Sequence, residues 1–217
     1  MGGNGMDTFK RLDVEKRERI LDAAAGEFAC HGFHKASVNR IVGAIGIAKG
    51  SLFKYFGTKQ GLFEYLFERA LERVKAPLKE VRTKTEGQDF FLRLHAVAHA
   101  AAGFAVEHPR AYRIYLKMLF QEDFPLRDRV LQALRDEFAD FLGPMVDAAV
   151  EAGELRADVP RDAVVFHIQA VIDRLLQGAQ VPGLDGGLDF SAPGALAERL
   201  DEQLCIIRYG LAAKEQQ

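Results

Sequence analysis

Apolar residues recur at the three- to four-residue spacing of an α-helix along almost the whole chain of 217 residues. No segment of four to eight residues alternates cleanly between apolar and polar side chains, as a half-buried strand would. The pattern therefore predicts an all-α fold of about nine helices. We expect three short helices in an N-terminal domain over residues 1–60, and a larger helical domain over residues 61–217.

Glycine, proline and small polar residues divide this pattern into separate helices. The first helix is predicted to end at Gly32, and the second to be capped by Ser37 and to end at Gly46. Thr58 is predicted to cap a long fourth helix that Pro77 bends or ends. The other helices are predicted over residues 48–56, 90–107, 109–120, 126–151, 161–177 and 194–211.

The charges are distributed unevenly along the chain. The formal net charge is only -2, which excludes a uniformly basic protein that coats nucleic acid. Residues 1–60, however, contain ten Lys and Arg against six Asp and Glu, a net of +4, and the remainder carries 19 minus 25, or -6. The basic N-terminal part is therefore the candidate partner of a polyanion.

Several other features narrow the class of protein. Cys30 and Cys205 have no C-x-x-C partner and are expected to be free, buried thiols in a reducing compartment. No apolar stretch approaches the roughly 20 residues that span a bilayer, and no signal peptide is evident. We therefore expect a cytoplasmic protein with no membrane partner. The glycine-rich residues 1–5 are expected to be a flexible leader.

Two short helices joined through Gly46 are typical of a helix-turn-helix, which places its second helix in the major groove of DNA. The helix over residues 48–56 is predicted to bury Leu52 and Phe56. Backbone N–H groups that follow Ser37 and Thr58 suit phosphate oxygens. The side of the helix left free for a partner carries Lys49, Gly50, Ser51, Lys54 and Tyr55.

A set of motif residues at fixed spacing extends through this region. The residues are Ile20-Leu-Asp-Ala-Ala, Phe28, Gly32-Phe33, Ser37-Val38, Ile41, Gly46-Ile47, Lys49-Gly-Ser-Leu-Phe-Lys-Tyr-Phe56, Lys59 and Leu62. Together they resemble the N-terminal domain of TetR-type repressors over about fifty positions, a quarter of the chain. The resemblance implies a sequence-specific transcriptional regulator, a repressor whose homodimer binds a palindromic DNA operator and is released by a small ligand bound in the C-terminal domain.

The resemblance also implies roles for individual residues. The residues implied to contact base edges are Lys49, Gly50 and Ser51. Those implied to contact phosphates are Asn39, Lys54, Tyr55 and Lys59. Physical chemistry agrees with these roles, because Lys49 can donate to guanine O6 and N7 whereas Lys59 at a helix start only neutralises charge.

Three departures from the family pattern bear on DNA binding. Phe53 stands where the family usually has a tyrosine, so the contact of that hydroxyl with the DNA backbone is lost. Ala48 replaces the usual capping serine, which costs the helix roughly 1 kcal/mol. Val42 and Ile45 are bulkier than the alanines common there. We expect these changes to affect affinity or the preferred sequence.

The last two predicted helices carry wide apolar stripes, which suit both an internal core and a four-helix seam between two subunits. The resemblance places the dimer interface there. The middle helices combine apolar and aromatic side chains with a few polar groups, a mixture that suits a flat or elongated apolar effector. For each of these residues taken alone, packing in a helical core is the favoured explanation. The candidate ligand-binding residues are His95, His99, Phe104, Tyr112, Tyr115, Met118, Phe138 and His167.

Other functions remain as alternatives. His95 and His99 have the i, i+4 spacing of a metal-binding pair, but no Cys or carboxylate is fixed near them by spacing, so we predict no metal and no cofactor. A helical enzyme using these histidines with Asp173 lacks a nucleophile–base triad and a phosphate-binding loop, so we predict no catalytic residues. The third alternative is a DNA-bound adaptor that answers to a protein partner.

Overall fold

The computed structural model describes residues 3–120 and 126–211, and within these ranges the chain forms helices and no strand. The all-α prediction is therefore confirmed. The described helices are α1 (Gly3–Lys10), α2 (Val14–Lys35), α3 (Val38–Ile45), α4 (Lys49–Phe56), α5 (Lys59–Lys84), α6 (Phe90–Glu107), α7 (Pro109–Phe120), α8 (Arg127–Glu151), α9 (Arg161–Gly178) and α10 (Ala195–Leu211).

The ten described helices include one more than the sequence predicted, and the additional helix is α1. The expectation of a flexible leader was wrong for residues 3–5, which belong to this helix; residues 1 and 2 lie outside the described part. Phe9 on α1 is completely buried, which supplies the apolar contact that a short glycine-rich helix needs to stay docked.

Side-chain caps and glycines set the boundaries around α3 and α4 as predicted. The hydroxyl of Ser37 accepts from the backbone N–H of Arg40, and the hydroxyl of Thr58 accepts from that of Gly61 at 2.9 Å. Gly46 ends α3 with φ 70° and ψ 35°, a left-handed conformation that glycine adopts without strain. Gly32 has φ 68° and ψ 178°, which is not helical, so the regular helix that begins at Val14 is interrupted at Gly32 as predicted, and a further helical turn extends α2 to Lys35.

The fourth predicted helix corresponds to α5 and is longer than expected. It continues through Pro77 to Lys84, so of the two outcomes expected at Pro77, a bend or an end, the helix does not end there. Proline removes only one backbone donor and disturbs one turn, and such a helix continues when its flanking turns are held. The chain leaves the helix in the turn that contains Gly87, whose φ is 78°.

The chain forms two compact units. The first comprises Met1–Arg73 and His108–Arg127, and the second comprises Val74–Glu107 and Asp128–Gln217. In the first unit α2 packs against α3 and α7, and α1 packs against α4. In the second unit α6, α9 and α10 pack against one another. The functional boundary at residue 60 stays a prediction.

Each unit has its own apolar core. The largest fully buried side chains in the first unit are Phe9, Ile20, Phe28, Ile41, Leu62, Phe63 and Met118, and those in the second are Leu94, Leu142, Ile168, Leu200 and Ile207. Cys30 and Cys205 are free but exposed, so the prediction that they are buried was wrong. Among the helices described here, none is both long enough and apolar enough to cross a bilayer.

Candidate nucleic-acid interface

The turn between α3 and α4 has the tight geometry of a helix-turn-helix. The N–H groups of Gly46 and Ile47 both donate to the carbonyl of Val42, at 2.9 and 3.2 Å. This pair of hydrogen bonds gives a backbone carbonyl at the C-terminal end of α3 its partners. The chain then turns within three residues and enters α4. Ile41, Val42 and the apolar side of α4 then bury against the first unit's core, which fixes the direction of α4.

One side of α4 is buried and the other faces solvent, as the sequence predicted. Leu52 and Phe56 are buried. The exposed residues of α4 include Lys49, Gly50, Phe53 and Lys54, and the half-buried ones include Ser51 and Tyr55. The ammonium of Lys49 lies 5.8 Å from the centre of the Phe53 ring, a cation–π distance. The exposed side therefore presents two positive charges around a backbone that glycine leaves uncovered.

The starts of α3 and α4 differ in how they are capped. Ala48 makes no side-chain bond to the first turn of α4, as expected for alanine at this position. Asn39 is exposed in the first turn of α3, next to the capping Ser37. Both helix starts carry the partial positive charge of the helix dipole, which favours phosphate oxygens.

A network between α2 and α3, which the sequence did not reveal, supports the start of α3. One carboxylate oxygen of Glu27 accepts from the backbone N–H of Ser37 at 2.8 Å and from Nε of Arg40 at 2.9 Å. Arg40 also donates to the carbonyl of Lys35 at 2.8 Å. Burial opposes the ionised form of Glu27, but the bonds from Arg40 and Ser37 outweigh burial and lower its pKa. No periodic pattern couples residues 13 positions apart, so these contacts give no sequence signal.

Lys59 has a structural role in the protein without DNA. Its Nζ donates to the carbonyls of Phe33, His34 and Ala36 at 2.9, 3.2 and 3.3 Å, and lies 4.6 Å from the centre of the Phe33 ring. The ammonium therefore joins the start of α5 to the C-terminal end of α2, where helix carbonyls favour a cation. A phosphate contact by Lys59 stays a prediction.

The helix α1 packs against the C-terminal half of α4. The Phe9 ring lies 4.8 Å from the Phe56 ring, 5.6 Å from the Tyr55 ring and 5.5 Å from the Tyr65 ring, between centroids. At Gly5 a Cβ would lie 2.0 Å from the carbonyl oxygen of Lys54, so only glycine permits this approach. Sequence reasoning missed this contact, although the i, i+3 pair Met6 and Phe9 was a weak helical signal.

The candidate ligand-binding residues are divided between the two units. Tyr112, Tyr115 and Met118 belong to the first unit, where Met118 is fully buried and the two tyrosine rings lie 5.7 Å apart. The others belong to the second unit: His95, His99, Phe104, Phe138 and His167. Of these, Phe104 and Phe138 are half-buried and His167 is exposed on α9. Their role in binding an effector stays a prediction.

His95 and His99 meet a carboxylate that the sequence spacing did not place near them. This carboxylate belongs to Asp201 on α10. Its Oδ1 atom is 3.0 Å from Nε2 of His95 and 2.7 Å from Nε2 of His99. The hydrogen bond from His99 lowers the pKa of Asp201 below its usual value. The two imidazole rings stack with their centres 4.2 Å apart.

The residue proposed for an alternative enzyme lies elsewhere on the second unit. Asp173 is half-buried on α9, where burial raises its pKa to about 6 against a counteracting hydrogen bond from Gln169. In the described part of the second unit, the carboxylate that clusters with His95 and His99 is that of Asp201, not that of Asp173.

The last two helices leave large apolar side chains in contact with solvent. On the apolar stripes of these helices, Ile168 and Ile172 of α9 and Leu200 and Leu204 of α10 are buried within the protomer. Phe166 on α9 is 72% exposed, and Ile206 and Tyr209 on α10 are 62% and 82% exposed. These three side chains provide exposed apolar surface on the two helices.

Comparison with known proteins gives consistent results over this region and beyond it. Residues 20–66 match the family model described as bacterial regulatory proteins, tetR family. The HTH-type transcriptional repressor Rv1474c of Mycobacterium tuberculosis is 41% identical over 161 residues, covering 74% of this chain and 80% of that protein.

Solved structures show the same fold. A TetR family transcriptional regulator from Chloroflexus aurantiacus is 26% identical, with a TM-score of 0.77 over 98% of this chain and 100% of that one. The regulator FadR from Bacillus subtilis, solved in complex with stearoyl-CoA, is 18% identical, with a TM-score of 0.70 over 89% of this chain and 98% of that one.

Proposed function

The chain belongs to the TetR family of bacterial regulatory proteins and is a DNA-binding transcriptional regulator rather than an enzyme, and from this premise we propose how it acts. It is a repressor that binds a palindromic operator as a homodimer and leaves it when a small, largely apolar ligand binds. It acts in the cytoplasm, where its DNA target lies.

The solvent-facing side of α4 is the observation that carries this proposal. Lys49, Gly50 and Ser51 lie in the first turn of the helix, the part that reaches base edges in a major groove. Lys49 donates to guanine, and the missing side chain at Gly50 allows close approach. The phosphate contacts are assigned to Ser37, Asn39, Lys54, Tyr55 and Lys59.

Exposed apolar residues on α9 and α10 support a second copy of the chain as the dimer partner. Phe166, Ile206 and Tyr209 are aromatic or large aliphatic side chains, the types enriched in protein interfaces. A two-fold interface formed by both helices presents two copies of α4 with the symmetry of a palindrome. Light scattering at micromolar concentration tests the dimer, and a monomer would contradict it.

The effector is proposed to bind among the candidate residues of the second unit. Within the second unit, Phe104 and Phe138 provide apolar surface, and His95, His99 and His167 provide polar groups. The remaining candidates, Tyr112, Tyr115 and Met118, belong to the first unit, where the tyrosines offer hydroxyl groups and Met118 is apolar. The stearoyl-CoA bound by FadR from Bacillus subtilis is an example, in that protein, of a ligand with a long apolar chain.

Release is proposed to be a shift between two conformations. The helix α5 contributes residues to both compact units, so it is a continuous element that a ligand in the second unit can displace. Displacement changes the separation of the two α4 helices from the roughly 34–36 Å that successive major grooves require. Affinity then falls without loss of a base contact.

Selection of bound sequences from random DNA tests the proposal. The wild-type protein is expected to enrich a palindrome whose half-sites are about 10 bp apart, or a multiple of that distance. Lys49→Ala is expected to relax the preference at one base pair per half-site, whereas Lys79→Ala, at an exposed lysine on the part of α5 in the second unit, leaves it unchanged. Failure of the wild-type protein to enrich any sequence would contradict the proposal.

A further inference from the structure

His95, His99 and Asp201 form a three-residue cluster inside the second unit. Their ligand atoms all lie within 4.8 Å of one another. His95 and His99 occupy successive turns of α6, and Asp201 comes from α10, which packs against α6. The cluster therefore combines two imidazole nitrogens and one carboxylate oxygen from two different helices.

The core beneath the cluster holds its two helices together. Leu94 and Ala98 each precede one of the histidines and are buried, and Leu200 precedes Asp201 and is fully buried. Because each ligand follows a core residue directly, packing of α6 on α10 fixes the three Cα positions. The site is thus built on rigid helices rather than on a loop.

We propose that His95, His99 and Asp201 bind a divalent transition-metal ion of the zinc class. Two neutral imidazoles and a carboxylate are a common donor set for such an ion, with a fourth position left for water or another ligand. The cluster carries a net charge of about -1 when both histidines are neutral, which favours a cation.

The distances agree with this donor set. Metal–ligand bonds of about 2.0–2.1 Å in a tetrahedral site place the donor atoms about 3.3 Å apart. Oδ1 of Asp201 lies 3.0 Å and 2.7 Å from the two Nε2 atoms, so each separation has to open by only a few tenths of an ångström. The stacked rings point both Nε2 atoms toward the same carboxylate oxygen, as a chelating pair requires.

The alternative is that the cluster only forms hydrogen bonds. In that case Asp201 accepts from both imidazoles and the cluster simply links α6 to α10. The partial exposure of all three side chains is compatible with metal binding, because it provides an entry path and room for a fourth ligand. Metal uptake separates the two cases experimentally, and it does so without DNA, independently of the repressor proposal.

The test is titration of the full-length protein with ZnCl₂ in competition with a chromogenic chelator, in the presence of a phosphine reductant. The expected stoichiometry is one zinc ion per protomer. His99→Ala and Asp201→Asn are each expected to weaken zinc binding at least tenfold. His167→Ala is the matched control, because it removes an exposed histidine of the same unit, and it is expected to bind zinc like the wild type.

Thermal unfolding provides a second measurement that does not depend on the chelator. Zinc is expected to raise the Tm of the wild type and of His167→Ala with increasing concentration, and at each concentration to raise the Tm of His99→Ala less. Circular dichroism establishes that each variant has the helix content of the wild type. Absence of stoichiometric uptake by the wild type, or equal affinity in all four proteins, would overturn the proposal.

Discussion

Replacing Phe9 with alanine tests the unexpected contact between α1 and α4. The Phe9 side chain has 0% exposure, and its ring contacts Tyr55 and Phe56 on α4 and Tyr65 on α5. Phe9→Ala removes all of these ring contacts and leaves a cavity at the place where α1 docks.

The size of the effect follows from the burial of the ring. A core Phe→Ala substitution costs roughly 3–5 kcal/mol, but α1 is a terminal helix of 8 residues that can detach as a unit, which limits the loss. We therefore expect a decrease of about 3 kcal/mol in the free energy of unfolding, or roughly 6–12 °C in Tm for a protein of this size.

Urea unfolding followed by circular dichroism measures this change, since the chain has no tryptophan for fluorescence. Phe120→Ala is the matched control, because Phe120 lies in the same unit but is 66% exposed. That substitution is expected to change the free energy of unfolding by no more than about 0.5 kcal/mol. Equal stabilities of the two variants would refute the anchoring role of Phe9.

The same variant is expected to bind its operator more weakly. Without Phe9, the C-terminal half of α4 loses support and has to be ordered when it meets DNA, which draws on the binding free energy. A cost of about 1.4 kcal/mol corresponds to tenfold weaker binding. Fluorescence anisotropy on the selected operator measures the change, and unaltered affinity in a destabilised Phe9→Ala protein would show that α1 does not position α4.

Three further predictions concern single side chains. Lys59→Ala is expected to lower the free energy of unfolding by roughly 1–3 kcal/mol, because it removes the ammonium from three carbonyls at the end of α2; in urea denaturation the exposed Lys54→Ala should differ little from wild type. Burial raises the pKa of Asp173 to about 6 from 3.8, so the folded state holds a proton between these pH values that the unfolded state releases. Ionised Asp173 therefore destabilises the fold above pH 6, and Asp173→Asn is expected to raise stability at pH 7.5 by at most about 3 kcal/mol and to flatten the pH dependence between pH 4 and 6; an unchanged pH profile would contradict this. Gly61→Ala places a Cβ 2.2 Å from a carbonyl oxygen of α4 and should lower Tm despite the better helix propensity of alanine, whereas Gly103→Ala on α6 meets nothing within 4 Å and should raise it.

Local signals allowed the helix-turn-helix to be predicted closely. Ser37, Gly46 and Thr58 each act through neighbours within four residues, so their capping roles can be read from the sequence. The buried positions Leu52 and Phe56 follow from helical periodicity for the same reason. These features define α3 and α4, and the exposed side of α4 follows from them.

Features that depend on distant contacts could not be predicted. The docking of α1 depends on Phe9 meeting residues more than 40 positions away, and Asp201 reaches His99 across 102 positions. Pro77 left open from the sequence whether the helix bends or ends, because local propensity is unfavourable there, and α5 continues through it to Lys84. Such contacts require knowledge of which helices pack together, and helical periodicity does not contain it.

The most direct test of the central claim is methylation interference with dimethyl sulfate on the selected operator. The claim is that two copies of α4 lie in successive major grooves, where guanine N7 is exposed. We predict that methylation of guanine N7 in both half-sites, about 10 bp apart, prevents binding. Interference only at adenine N3, which lies in the minor groove, or at one half-site alone, would contradict the account.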